Sequence, residues 1–209
     1  PLFGARVAGQ LVVFQSDYQD FISQQQVSGS FTPLDPAVYQ FVNFTDVEIE
    51  GVEARADAFW DNGVSARFAI GYAEGQSTSN GRTTALASID PVKVVFGVGY
   101  DDPSGVFGVQ AISTWSQAKS NGATTGLGCY SPVPTATAGC HTGDDVALLD
   151  LTAYWNVNEQ VTARVGAFNV FDETYSWWSD VRGVANSSAV KDAYTQPGRN
   201  FGVSLALRY

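Results

Sequence analysis

The sequence predicts an all-β fold, the wall of an antiparallel transmembrane β-barrel, and three observations carry that reading. Apolar residues recur with a period of two over stretches longer than the roughly five or six residues usual for strands of soluble sheets. Between the stretches, tight polar turns alternate with long polar loops, as in barrels that cross an outer membrane. Aromatic side chains gather at both ends of the stretches, where amphipathic rings favour the headgroup level of a bilayer.

Eight stretches are expected. The first two, roughly 5–22 and 41–60, flank a polar segment at 23–40. The third, 64–75, sets Val64, Ala66, Phe68, Ile70 and Tyr72 on one parity and Ser65, Arg67, Ala69 and Gly71 on the other. In the fourth, 91–100, Val94, Phe96, Val98 and Tyr100 oppose Lys93, Gly97 and Gly99. The stretches 106–118, 146–156 and 160–176 alternate alike. The last, 199–209, sets Phe201, Val203, Leu205, Leu207 and Tyr209 against Gly202, Ser204, Ala206 and Arg208. Asp61-Asn62-Gly63, the run from Asp101 to Gly105, and Asn156-Val157-Asn158-Glu159 have the chemistry of tight hairpin turns. The segments 23–40, 76–90, 119–145 and 177–198 are the long loops.

Trp60, Tyr100, Phe107 and Tyr209 fall beside the short turns or at the terminus, and Tyr72, Trp115, Trp177 and Trp178 beside the long loops. A soluble β-sandwich would bury its greasy face as core and have no reason to place rings at both ends. Glu53, Arg55, Asp57, Arg67, Arg164 and Arg208 share the parity opposite the greasy one. That face is expected to line a wet lumen, with ion pairs among the charges, because a Lys or Arg facing lipid near the midplane costs about 2–4 kcal/mol.

Composition agrees. Of 209 residues, 44% are hydrophobic and 15% charged, and 21 acidic against 11 basic residues give a net charge of −10. The acidic excess argues against nucleic acid as a partner, since Lys and Arg supply that affinity through counterion release. No apolar run approaches the length of a membrane-spanning helix. The chain starts at Pro1 and has no methionine, so it is expected to be a processed or partial chain. Cys129 and Cys140 lie in a Gly-, Thr- and Pro-rich loop without zinc or CxxC spacing, which predicts a loop disulfide and an oxidising compartment.

Several phrases carry a family resemblance. Residues 14–23 (FQSDYQDFIS), Val42-Asn43 and residues 46–55 (DVEIEGVEAR) resemble a strand pair of TonB-dependent outer-membrane receptors. Residues 166–175 (GAFNVFDETY) are similar to that family's late-barrel stretch, and residues 196–201 (QPGRNF) to its entry into the last strand, which here ends in the aromatic Tyr209. Residues 88–103, together with Tyr175-Ser176-Trp177-Trp178 before Arg182, resemble the receptors for haem or haem-carrying proteins.

The resemblance implies that residues 1–209 form the last eight strands of a 22-stranded barrel of the Gram-negative outer membrane. The N-terminal plug and the earlier strands would lie outside this sequence, with the usual haem-ligating histidine loop. It further implies lipid and lipopolysaccharide around the barrel, the TonB energy-transducing complex reached through the plug, and an extracellular haem protein as partner. Haem would be cargo, with no covalently bound cofactor and no resident metal.

Candidate ligand residues lie in the long loops. His141, the one histidine of the chain, is a potential axial ligand of haem iron or a plain loop histidine. Tyr130 has a phenolate suited to ferric iron, or packs on the neighbouring disulfide. Trp177 and Trp178 have faces that stack on a porphyrin, or belong to the interfacial girdle. No serine has a nucleophile elbow around it, so catalysis has little support. The expected function is uptake of haem or haem-protein iron. A ferric-siderophore receptor is the nearest alternative, and a self-contained eight-stranded structural barrel or adhesin the alternative of another class.

Overall fold

The computed structural model describes residues 4–29, 34–79, 81–124, 129 and 139–208. It contains one antiparallel sheet built from β1 (Ala5–Ser28), β2 (Val38–Trp60), β3 (Val64–Ser79), β4 (Arg82–Ala85), β5 (Lys93–Asp101), β6 (Phe107–Ser116), β7 (Val146–Asn156), β8 (Val161–Phe168) and β9 (Asn200–Leu207). The eight long strands pair in chain order, and β4 folds back on the distal end of β3. Among the described residues β1 and β9 have one partner strand each, so the sheet is an open barrel wall. No helix of the described residues is long and apolar enough to cross a membrane.

The tight turns form as their residues dictate. Gly63 takes φ +90° and donates its N–H to Trp60, while the Asn62 side chain accepts from Val64 N. Gly105, at φ +73°, donates to the Asp102 carbonyl. The Asn158 side chain accepts from both Gln160 N and Val161 N at 2.9 Å, which closes the turn between β7 and β8.

Three expectations about strand ends are corrected. The first hairpin runs on to Ser28 and Val38, through much of the segment expected to be loop. β3 extends to Ser79, where β4 pairs with it. The seventh strand ends at Phe168 and not near 176, because Asn169 and Asp172 adopt left-handed φ of 49° and 61°, a conformation that Asn and Asp tolerate better than other side chains. The terminal Tyr209 lies outside the described residues.

Register sorts the two parities onto two continuous faces. Leu11 pairs with Ala54, Ala54 with Ile70, Ile70 with Val94 and Val94 with Trp115. At the other edge Leu151 pairs with Ala167 and Ala167 with Phe201. This apolar face is bare: Leu11 is 70% exposed, Phe201 75% and Val203 82%. Its aromatic rim at the short-turn end is Trp60, Tyr100, Phe107 and Trp155, with Phe107 opposite Trp155 and packed against Tyr100. Phe107 and Trp115 stand near the ends of β6, roughly 26 Å apart along the strand at about 3.3 Å per residue, which after tilting approaches the apolar band of an outer-membrane barrel.

On the opposite face Asp57 meets Arg55 at 3.0 Å and Arg67 at 3.7 Å, and Arg67 also lies over the Phe59 ring. Glu53, Arg164 and Arg208 share the face without an ion pair among the described residues. Among the described residues, most buried apolar side chains lie in the upper part of this inner face and in the loops above it. There Val146 and Leu148 of β7 are covered by Tyr175 and Trp177.

Candidate functional site

Long loops with polar sequence ordinarily lie over a surface, exposed and variable. Three of the four here are instead stitched together above the inner face. The fourth long loop (169–199) begins with Asn169, which is 4% exposed. Its backbone N–H donates to Asp150 of β7, its side-chain oxygen accepts from Glu173 N, and its amide donates to the Glu173 and Pro197 carbonyls. Arg199 N donates to Asp172 at 2.7 Å, and the two side chains form an ion pair. The stretch 166–175 and the stretch 196–201 are therefore one clamp, which holds the exit of β8 against the entry of β9.

Beyond the clamp the loop turns inward. Tyr175 and Trp177 pack edge to face at 5.0 Å, and the Lys93 ammonium of β5 sits 4.2 Å from the Trp177 ring centroid. Burial pushes the Tyr175 phenol above its ordinary range, with the Asp150 carboxylate adding to the effect. The helical turn α1 (Trp178–Val181) follows, with Trp178 3% and Val181 0% exposed. The indole N–H of Trp178 donates to the Ala87 carbonyl of the second long loop.

The third long loop (117–145) is fixed to both neighbours. Ser176, 2% exposed, donates both its backbone N–H and its hydroxyl to one oxygen of Asp144, at 2.8 Å each. His141 N donates to Val184, Asn186 N donates to Gly139, and Cys140 makes a single bridge with Ala185. Cys140 is disulfide-bonded to Cys129, with 5.4 Å between the Cα atoms. On the other side the Lys119 ammonium donates to the Ile89 carbonyl at 2.6 Å. Burial lowers the Lys119 pKa below the usual lysine value, opposed by the carboxylates of Asp90 and Glu74.

This arrangement places the expected ligand residues. The His141 Nε2 atom is 3.2 Å from the Ser176 hydroxyl, so that ring nitrogen is already engaged. Trp177 and Trp178 face inward and lie among the docked loops, which corrects their expected place in the interfacial girdle; the exposed rings on the outer face at that end are Tyr72 and Trp115. Trp178 has neither a free face nor a free N–H. Tyr130 lies outside the described residues. His141, Ser176 and Asp144 form no nucleophile triad, because Asp144 accepts the hydrogen bond of the buried Ser176 hydroxyl instead of orienting the imidazole. Among the described residues no group of His, Cys, Asp or Glu is arranged to hold a metal ion. The clamp and the Asp144–Ser176 latch escape sequence reading, because each joins residues roughly thirty positions apart.

A one-sided apolar wall with short turns at one rim and docked loops at the other defines the wall of an outer-membrane β-barrel. A family model described as "TonB dependent receptor-like, beta-barrel" matches residues 2–170, and the chain belongs to that family. It therefore resides in the Gram-negative outer membrane.

The whole chain is 25% identical to 30% of the Hemoglobin-haptoglobin utilization protein B of Neisseria meningitidis serogroup A. Over 87% of its length it is 25% identical to 21% of the Lactoferrin-binding protein A of Neisseria meningitidis serogroup B. The chain thus spans about a third or less of the curated relatives it matches. Among solved structures, the Copper transporter OprC superposes on 97% of this chain with a TM-score of 0.74 at 18% identity, covering 29% of its own chain. The FrpB iron transporter of Neisseria meningitidis superposes on 95% with a TM-score of 0.67 at 12% identity, covering 28%. These two likenesses bear on fold alone.

Proposed function

We propose that residues 1–209 are the C-terminal barrel sector of a receptor that takes up haem, or iron from a haem protein, energised through TonB acting on an N-terminal plug. The observation that carries the reading is the match of the entire chain to a haemoglobin–haptoglobin utilization protein. A relative named as a haemoglobin and haemoglobin–haptoglobin-binding protein from Haemophilus ducreyi, 25% identical over 94% of the chain, supports it further. Haem is cargo in this reading, and no covalent step is assigned to the protein. The buried Ser176 hydroxyl, committed to Asp144, is consistent with a structural role for the one Ser–His–Asp grouping in the loops.

The docked loops suit such a receptor. Loops already ordered by a disulfide in one, a clamp in the other and a latch between them lose little further conformational entropy when a large ligand lands on them. Growth tests the reading. Cells carrying the complete gene, with other iron-uptake receptors deleted, should grow on haemin or haemoglobin as the iron source. Growth on ferric siderophores alone would sink the haem assignment and leave the receptor class intact.

A further inference from the structure

Lys93 is the first residue of β5, and its pairing with Gly71 is the last rung between β3 and β5. The same rung continues through Glu53 on one side and through Ser116 and Val146 on the other, all on the inner face. Lys93 therefore stands at the top of the inner wall, beneath the docked loops.

A lysine facing a lumen that also holds carboxylates ordinarily takes one as partner. Here the ammonium lies 4.2 Å from the centroid of the Trp177 ring, and Tyr175 holds that ring edge to face at 5.0 Å. Among the described residues Lys93 has no ion pair. Glu53, the acid of the same rung, is two strands away, roughly 10 Å at the usual strand spacing. Gly71 between them leaves a gap, since nothing lies within 4 Å of the point where a side chain would begin. An aromatic ring fixes the position of a cation without neutralising it. The Lys93 side chain stays exposed, so its charge and N–H donors remain open to the lumen. The Trp177 face is thereby occupied, and that face does not also stack on a porphyrin.

We propose that Lys93 is a cargo-binding residue, whose ammonium pairs with a propionate carboxylate of haem passing below the docked loops, and that Trp177 is the positioning residue that holds it there. The inference rests on the haem reading above. Haem carries its propionates along one edge of an otherwise apolar plane, so a single fixed cation at the top of the wall both holds and orients it. One exposed pair is also weak enough to let the cargo go inward.

The test follows TonB-dependent entry of haemin, and of haemin dimethyl ester with its carboxylates blocked, into living cells bearing the complete receptor. Wild type should take up haemin severalfold faster than the ester at low concentration. Lys93→Met keeps the apolar stem on Trp177 and removes the charge. It should raise the half-saturating concentration for haemin about fivefold or more and leave that for the ester within about twofold. Lys93→Arg should retain most of the preference for haemin. Trp177→Leu should lower the preference too, and combining it with Lys93→Met should cost little more. Equal entry of the two probes in wild type, or an equal loss of both in Lys93→Met, overturns the proposal, because a merely structural lysine, or one paired with another part of the receptor, affects both alike. If Lys93→Met loses the receptor's heat-modifiable migration, Lys93→Gln decides by the same outcomes. Wild-type cells that admit neither probe while a ferric siderophore enters would refute the haem reading itself, a failure distinct from that of Lys93.

Discussion

Asn169 shows what one buried amide does at the exit of a strand. It takes a left-handed φ, caps the end of β8 and reaches both the Glu173 and Pro197 carbonyls. Replacing it with leucine leaves several buried groups unpaired, at about 1–3 kcal/mol each. Asn169→Leu should therefore lower the temperature at which the complete receptor loses its folded migration on gels, by more than a substitution at exposed Asn158. Equal temperatures would show the clamp to be dispensable.

Tyr175 makes a second prediction at this scale. Its folded pKa is raised, so its contribution to loop docking is complete below the ordinary phenol value and is lost as pH rises through the raised one. The ultraviolet difference titration of wild type against Tyr175→Phe should show a tyrosinate appearing above about pH 10. A component titrating below that value would contradict the burial. Neither residue's role was legible in sequence. The turn chemistry of Asn and Asp was visible at 169 and 172, but its partners lie in a stretch nearly thirty residues later.

At the scale of elements, the strands were legible because the signal is local. A residue's parity within β5, β6, β7 and β9 reports whether it faces lipid or lumen, and register in the sheet keeps that sorting. The distal arm of the first hairpin was not legible, since neither of its faces meets lipid and the alternation fades. Trp177 and Trp178 were misplaced because the direction of a loop depends on what it docks against. The two faces predict opposite responses to one substitution. Val203→Arg, on the apolar face, should cost about 2–4 kcal/mol and reduce assembled receptor, while Ser204→Arg on the inner face should be tolerated. Similar yields of both in the outer membrane would mean the faces are wrongly assigned. Removing the disulfide with Cys129→Ser/Cys140→Ser should release about 3 kcal/mol of loop constraint and expose residues 117–145 to added protease, with the barrel itself still folded. Unchanged cleavage would show that the contacts to Val184 and Ser176 suffice.

For the whole molecule, the modest charge content follows from architecture: half of each spanning strand faces lipid, and acids are left to the loops, the arm and the inner face. The wall and the docked loops then divide the work between membrane insertion and a pre-ordered surface above the inner face. The central claim is energised haem uptake, and accumulation of iron-labelled haem by cells bearing the complete receptor tests it most directly. The account predicts accumulation that disappears when TonB is deleted while surface binding persists. Haem accumulation that continues without TonB, or none in its presence while a ferric siderophore accumulates, would contradict it.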